Sequence, residues 1–470
     1  MIIPRNLIRK LSVLILLLPA VAGSMAQTIF IEGSSNVFRK RIIRLSAYED
    51  LLTRREVTLA AALIDENGFF SMQAGLRDTQ QLCLSIGLRK FYFIGIPGMR
   101  YHCLAGNDSI NPDESILPTT AQTLDISFTR LPDTDPNRII LSFDSIYSGF
   151  LAKHSATLLS SRARDLYDSL TGLTAGVYQA NREDFTTQYL YYIMAGLEGM
   201  VHRWPDAVIY DKYLKNKPVL YYNPAYMEFF TGFFTAYLSS KSGSLQARDL
   251  LVPVNDLKDL SALTDSLGKD SLLRNERIRE MVLIMGLGEL YHNPEYKREN
   301  VRYLLDRICH QSKFPGHRVM AFNMISKLEH LAKGTAAPVF SLSDQTGREI
   351  NLTDYRGKWV YLGFFTTWCE SCLAELKAGS HYLDKYGEKL VMLNVCCDEN
   401  EAVYHHFIRT HKFIRWPVMF LNDSFEIIHE YQVYSYPLYV LIDPEGNIYQ
   451  YPALQAGSRI TSVFDDILNH

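Results

Sequence analysis

The sequence has almost no surplus of charge of either sign: 470 residues carry 48 Lys and Arg against 51 Asp and Glu, a formal net charge of -3. With no basic stripe beyond the first residues, it offers no electrostatic footprint for nucleic acid. It also lacks a second Cys-x-x-Cys and any Cys/His pair at zinc spacing, so no metal is assigned. Adjacent His405 and His406 do not change this, because neighbours on a helix cannot share one face as ligands do. No fixed repeat period marks a solenoid. Long apolar runs are equally scarce. The run from Leu11 to Val21 is too short to span a bilayer comfortably, which takes roughly 20 residues. No cysteine follows it, which argues against a lipoprotein anchor.

What stands at the N-terminus instead has the layout of an export signal. Arg5, Arg9 and Lys10 form a basic segment, Leu11 to Val21 the apolar core, and Ser24-Met25-Ala26 a small-x-small cleavage site before Gln27. Residues 1–26 are therefore expected to be a signal peptide. The mature protein, with no transmembrane span left, is expected in the cell envelope, in the periplasm where there are two membranes. Seven cysteines in an exported chain need a redox account, because disulfides persist there and a Cys-x-x-Cys can stay oxidised or require an electron supply. The odd number leaves one thiol free unless chains pair.

At this length one compact core is excluded, and about two to four domains are expected. Residues 27–135 alternate in short runs: Ile29–Ile31, Lys40–Leu45, Val57–Leu59, Phe69–Met72, Cys83–Ile86, Phe91–Ile94 and Tyr101–Cys103, with turn chemistry at Asp65–Gly68 and Pro97-Gly98. This pattern predicts a small antiparallel β-sandwich. A hairpin through Pro97-Gly98 could bring Cys83 near Cys103, although two buried free thiols are the favoured reading. Proline and aspartate between Asn111 and Pro136 mark a linker.

The period then becomes helical, and residues 136–333 are expected to form an all-α domain. Asp184 opens a helix that Pro205 ends, and Asn223-Pro224 caps an aromatic helix from Ala225 to Leu238. Helices are also expected from Asn275 to Tyr291 and from Arg298 to His310. Their many Tyr and Phe residues read as packing, not as a cofactor site.

Residues 334–470 alternate strand and helix. The unbroken apolar run Trp359–Phe365 is a strand buried on both faces, and it feeds directly into Trp368-Cys369-Glu370-Ser371-Cys372. Two thiols where a strand turns into a helix sit at the positive end of the helix dipole, which favours thiolate. Cys369 is expected as the exposed attacking thiolate, its pKa lowered into the range of roughly 3.5–7.5. Cys372, one turn on, would resolve the mixed disulfide. Strands at Leu390–Cys397, Val418–Leu421, Leu438–Ile442 and Ile448–Tyr451 and helices at Cys372–Tyr386, Glu401–Thr410, after Ser424, and through Ile460 to Leu468 complete a thioredoxin order. Cys396 and Cys397 end a strand on the same sheet edge, but neighbours on a strand point to opposite faces, so two unconnected thiols are expected.

These motifs resemble a thioredoxin-like domain of the TlpA/ResA type. The resemblance rests on Ala337–Leu342, the Tyr355-Arg-Gly-Lys-Trp359 lead-in, Trp368–Cys372 and Tyr436–Gly446. The β-then-helical arrangement before it resembles, more loosely, that of exported Bacteroidetes proteins carrying such a domain. The resemblance implies that Pro437 is a cis-proline facing the active site, with Tyr436 offering backbone groups to a substrate strand. It implies too that Glu375 manages the proton of the resolving Cys372, and that electrons come from a membrane thiol transporter. Trp368 is read as a shield over the cysteine pair, and Glu370 as an electrostatic tuner that opposes thiolate formation. Ser371 stands where the family often has proline, Lys377 where a helix-kinking proline is common, and Gly379 costs the helix about 1 kcal/mol relative to alanine.

The expected function is thiol–disulfide exchange with protein thiols, as a reductase of protein disulfides or of cysteines awaiting haem attachment in cytochrome c maturation, or in envelope redox homeostasis. No cofactor is expected beyond the redox-active Cys369–Cys372 pair. A peroxiredoxin-like peroxidase is an alternative, since Thr366 precedes Cys369 by three; Leu362 in place of the expected proline and the superfluous Cys372 count against it. A binding or scaffold protein with an accessory redox domain is the other.

Overall fold

The structure is a computed structural model that describes residues 26–106, 123–158, 163–174, 176, 184–202, 204–398, 400–422, 424–457 and 460–468. All of the expected signal segment but its last residue, and the first part of the expected linker, lie outside the described residues. Among the described residues no helix is long and apolar enough to cross a membrane.

The first strands are β1 (Gln27–Ser34), β2 (Ile42–Asp50), β3 (Arg55–Leu63), β4 (Phe69–Leu76), β5 (Gln80–Ile86), β6 (Arg89–Gly95), β7 (Arg100–Ala105) and β8 (Ile126–Phe128). They form two four-stranded sheets, in the orders β4-β1-β7-β8 and β3-β2-β5-β6. Alternation explains the shared core: Ile29, Ile31, Ile43, Leu45, Leu82 and Leu84 point inward from both sheets into one cluster. The region is not antiparallel throughout, because β1 pairs in parallel with β7. A period of two fixes which face a residue takes, but not which strand lies beside it. For the same reason β6 and β7 fall in different sheets and the hairpin through Pro97-Gly98 does not form. Cys83 and Cys103, on β5 and β7, are both buried free thiols.

Ten helices follow among the described residues: α1 (Pro136–Leu158), α2 (Ala163–Thr174), α3 (Phe185–His202), α4 (Asp206–Tyr213), α5 (Pro224–Phe234), α6 (Ala247–Leu251), α7 (Leu260–Leu267), α8 (Glu276–Leu290), α9 (Arg298–Gln311) and α10 (Pro315–Glu329). Their starts follow capping chemistry. Asp184 Oδ1 accepts from Thr187 N at 2.9 Å, and Asn223 Oδ1 accepts from Tyr226 N at 3.1 Å with Pro224 at the first helical position. α5 stops at Phe234, earlier than the sequence pattern suggests. Ala236 turns left-handed, its N–H donates to Glu289 Oε1 at 2.9 Å, and Tyr237 donates to Asp270 Oδ2 at 2.9 Å. Tertiary partners have overridden the helical period.

The C-terminal part contains β9 (Ser341–Ser343), β10 (Glu349–Asn351), β11 (Trp359–Phe365), α11 (Glu370–Tyr386), β12 (Leu390–Cys396), α12 (Glu401–Thr410), β13 (Val418–Phe420), α13 (Glu426–Glu430), β14 (Leu438–Ile442), β15 (Ile448–Gln450) and α14 (Ile460–Leu468). Its main sheet has the order β13-β12-β11-β14-β15, with β11, β12 and β13 parallel and β14 antiparallel to β11. This is a thioredoxin-like α/β fold. β11 is buried on both faces. Val360, Leu362 and Phe364 enter a core with Ile427 and Ile428 of α13, while Tyr361 and Phe365 enter another with Leu376 of α11, Phe407 of α12 and Phe464 of α14. Each such large side chain contributes about 1.5–3 kcal/mol of hydrophobic stabilisation. Gly363 has no room for a side chain, since a Cβ there would meet Asn394 Nδ2 at 2.3 Å and Tyr439 Cε1 at 2.6 Å.

Polar contacts tie the three regions together. Asn323 of α10 donates to Asp50 Oδ2 at 2.8 Å and accepts from Arg55 Nη1 at 2.7 Å, which joins the helices to the β2–β3 turn. Arg44 meets Glu426 at 3.3 Å, and the His330 ring donates to the Glu430 carbonyl at 2.6 Å. Asn323 and Asp50 are buried, so an unmade bond there is expensive. Asn323→Leu is expected to lower stability by about 1–3 kcal/mol in urea unfolding, and an unchanged midpoint would show the link to be idle.

Candidate active site

β11 delivers the chain to the sheet edge, and α11 begins three residues after the first turn residue, Thr367. Cys369 occupies the N-cap of α11, with φ -83 and ψ 103. Its Sγ accepts from Cys372 N at 3.1 Å and lies 3.3 Å from Ser371 Oγ, so a sulfur holds the place usually taken by a Ser, Thr, Asp or Asn oxygen. Cys369 and Cys372 form a disulfide, with their Cα atoms 5.2 Å apart. When the bond opens, a negative charge on Cys369 faces a free helical N–H and the positive end of the dipole. Glu370 in the first turn has two effects. It favours the helix, and it opposes charge on the neighbouring sulfur.

Cys369 is 8% exposed and Cys372 1%. Cys369, expected from the sequence as an exposed thiolate, is thus nearly covered, because it packs into the core that includes Phe365 and Leu376. Trp368 is the open residue at 46% exposure, and its ring meets Tyr436 edge-on with centroids 6.3 Å apart. The Tyr436–Pro437 peptide bond is cis. Tyr436 turns its buried hydroxyl toward the Cys397 thiol, and Thr366 carries a buried hydroxyl without a hydrogen-bond partner among the described residues. Glu375, one turn after Cys372, is half-buried, and its Oε2 accepts from Gly457 N at 2.9 Å. Gly379 lets α11 approach β12 closely, since a Cβ there would meet Met392 Cε at 2.7 Å. That packing explains a glycine in mid-helix.

One residue of the site escaped the sequence reading. Asp398 is 0% exposed, and its Oδ2 accepts from Thr367 N at 2.8 Å and from the Cys396 thiol at 3.1 Å. The carboxylate therefore clips the end of β12 to the loop that carries Cys369. Its signal lay in the tripeptide Cys396-Cys397-Asp398 at the C-terminal end of a strand beside β11, the edge where such folds place their chemistry. Cys396 belongs to the core on the α11 side and Cys397 to the core on the other side, and both are free. Burial, followed by the charge of Asp398, pushes the Cys396 thiol well above its ordinary pKa, and burial pushes up Cys397 as well. Burial also raises Cys83 and Cys103 to about 12. Among the described residues no three His, Cys, Asp or Glu side chains converge as metal ligands.

A thioredoxin-like sheet with a disulfide at the N-terminus of its first long helix defines a thiol–disulfide oxidoreductase. The sequence profile of the AhpC/TSA family matches residues 333–451. The thiol-disulfide oxidoreductase ResA of Bacillus subtilis is 31% identical over 144 residues, which make up 30% of this chain and 76% of that protein. Its namesake in Bacillus cereus is 34% identical over 126 residues, 27% of this chain and 72% of that one. Among solved structures, the thioredoxin domain of a thiol-disulfide oxidoreductase from Bacteroides vulgatus is 25% identical, covering 29% of this chain and 98% of its own, with a TM-score of 0.26. The chain belongs to the ResA family of thiol-disulfide oxidoreductases.

The thiol environments give a direct check. After reduction at pH 8, deeply buried thiols whose pKa is raised stay protonated and unreactive, so iodoacetamide is expected to modify Cys369 first. Half-buried Cys309 follows, and Cys83, Cys103, Cys396 and Cys397 stay unmodified in peptide mass spectra until the protein is denatured. Labelling of Cys396 or Cys397 as fast as Cys369 would contradict the environments described.

Proposed function

We propose that the protein is exported and reduces disulfides of protein clients through Cys369 and Cys372, in envelope redox homeostasis or in preparing cysteines for haem attachment. The observation that carries this reading is the N-cap placement of Cys369 within bonding distance of Cys372. The chain divides, on the same reading, into a signal peptide (1–26), a β-sandwich-like domain (27–135), a helical domain (136–333) and the redox domain (334–470).

The reaction runs in two exchanges. Reduced Cys369, as thiolate, attacks one sulfur of the client disulfide; a Cys369–client bond forms, the client bond breaks, and the departing client sulfur takes a proton. Cys372 then loses its proton and attacks Cys369 Sγ. The Cys369–Cys372 disulfide forms, the second client thiol leaves, and two electrons have passed to the client. Glu375 lies one helical turn from Cys372, a position from which it accepts that proton. Tyr436 and cis-Pro437 present backbone to the client strand, while Trp368 flanks the sulfurs and sets access. Ser371 donates to Cys369 and steadies the thiolate, and Glu370 works against it, so the two set the potential between them. A membrane thiol donor then returns the pair to its reduced form.

The peroxidase reading has less to support it. Leu362 stands where that chemistry expects a proline, although the buried, unpartnered hydroxyl of Thr366 near Cys369 keeps it worth testing. Cys369→Ser is expected to abolish reduction of insulin disulfides. Cys372→Ser is expected to stall as a mixed disulfide on Cys369 whose client mass spectrometry can read. Turnover retained in Cys369→Ser, or peroxide consumption exceeding insulin reduction in the unaltered protein, would overturn the proposal.

A further inference from the structure

The tripeptide Cys396-Cys397-Asp398 ends β12 between the two loops that build the redox site, and both of its thiols are free and buried. Its backbone is held from either side. Cys397 N donates to the Phe365 carbonyl at 2.8 Å, and the Cys396 carbonyl accepts from Leu421 N at 3.0 Å, so the strand end is fixed both to β11 and to the residue after β13. Neighbours on a strand face opposite sides of the sheet. Cys396 therefore enters the core that contains Cys369 and Cys372, Cys397 enters the core on the other side, and Tyr436 packs against both.

On the α11 side the meeting point is Asp398 Oδ2, which accepts from Thr367 N at 2.8 Å and from Cys396 Sγ at 3.1 Å. The thiol fixes how the carboxylate is turned. The carboxylate in turn holds the chain two residues before Cys369, whose own N–H donates to the Thr366 carbonyl at 3.3 Å. A shift in that turn carries Cys369 Sγ away from the Cys372 N–H it faces at 3.1 Å. A bond from a backbone N–H to a buried carboxylate is stronger than one to a neutral acceptor, which suits a contact that must hold a turn still. On the other side Cys397 gives its proton to the Val395 carbonyl at 3.6 Å, which leaves its sulfur as an acceptor for the Tyr436 hydroxyl turned toward it. The Tyr436 ring meets Trp368 edge-on and precedes the cis bond to Pro437. Each face of the strand end thus steadies one loop of the site.

We propose that Cys396, Cys397 and Asp398 are positioning residues for thiol–disulfide exchange, a brace that registers the N-cap sulfur against the backbone of Tyr436 and Pro437. Asp398, steadied by Cys396, sets where the attacking sulfur stands and acts on the chemical step. Cys397 sets where Tyr436 stands and acts on client binding. The two free thiols are thereby hydrogen-bonding groups that exchange no bonds themselves.

The brace serves the exchange proposed for Cys369 and Cys372, so the test on the full chain separates the two. Reduction of insulin disulfides, with Cys369→Ser as the blank, tests the exchange; alkylation of Cys369 in the reduced chain needs no client and tests the brace by itself. Asp398→Asn and Asp398→Ala both remove the charge, but only asparagine keeps an acceptor for Thr367 N, so their difference reads the hydrogen bond alone. Asp398→Ala is expected to show a kcat about tenfold below that of Asp398→Asn, the loss expected when a reacting atom is misplaced. Its pH midpoint for Cys369 alkylation should lie about half a unit or more higher, as the sulfur leaves the helix N-terminus. Cys396→Ala should lower kcat by about threefold, with Cys396→Ser recovering most of it. Cys397→Ala and Tyr436→Phe should each raise KM by about threefold to tenfold while kcat holds, the double variant being no worse than either alone and Cys397→Ser recovering the affinity. Urea midpoints follow folding throughout, and if Asp398→Ala does not fold, the milder Cys396 and Cys397 variants decide the matter. Equal kcat and equal alkylation midpoints in the two Asp398 variants, no effect of Cys396→Ala, additive losses from Cys397→Ala and Tyr436→Phe, or losses that merely follow the urea midpoints would overturn the proposal.

Discussion

The redox domain depends on a sulfur at the N-cap of α11. An oxygen there would satisfy the helix equally well, yet it could not exchange bonds. Because Cys369 receives the Cys372 N–H and lies at the positive end of a helix of 17 residues, the interaction that starts the helix also lowers the cost of charge on the sulfur. Strand β11 exists to deliver that residue. Its burial on both faces leaves no freedom in where the chain emerges, and Asp398 fixes the first turn after it from the neighbouring strand.

The same site illustrates opposing electrostatics. The helix dipole favours negative charge at the N-cap sulfur, while the covering of Cys369 disfavours it. Beside it lie two free, buried thiols. Cys396 pairs with Phe365 at the end of β11, close in space to the disulfide, but it and Cys397 are buried on opposite sides of the sheet, and burial raises the cost of charging either sulfur.

The N-terminal and helical regions are joined to the redox domain by few but specific polar contacts. Asn323 with Asp50 and Arg55, Arg44 with Glu426, and His330 with the Glu430 carbonyl set how the regions meet. Glu430 and Glu426 belong to α13, which lies just before the segment leading to Tyr436 and Pro437. The β-rich region thus contacts the element that leads into the Tyr436–Pro437 loop.

Strand β11, the Cys-x-x-Cys corner, the caps at Asp184 and Asn223 and the seven longer N-terminal strands were legible in the sequence because local rules decide them: an apolar run, a strand-to-helix turn, a side chain that bonds the first free N–H. The pairing of β1 with β7, the early end of α5, the covering of Cys369 and the role of Asp398 were not legible. Each is decided by a partner distant in sequence, and periodicity carries no information about which partner arrives. The sequence by itself therefore determined the chemistry available at Cys369 and Cys372. Tertiary structure alone decided which acid clips their loop, how much of the sulfur meets solvent and where the remaining thiols point, because burial and electrostatic fields are properties of the packed molecule.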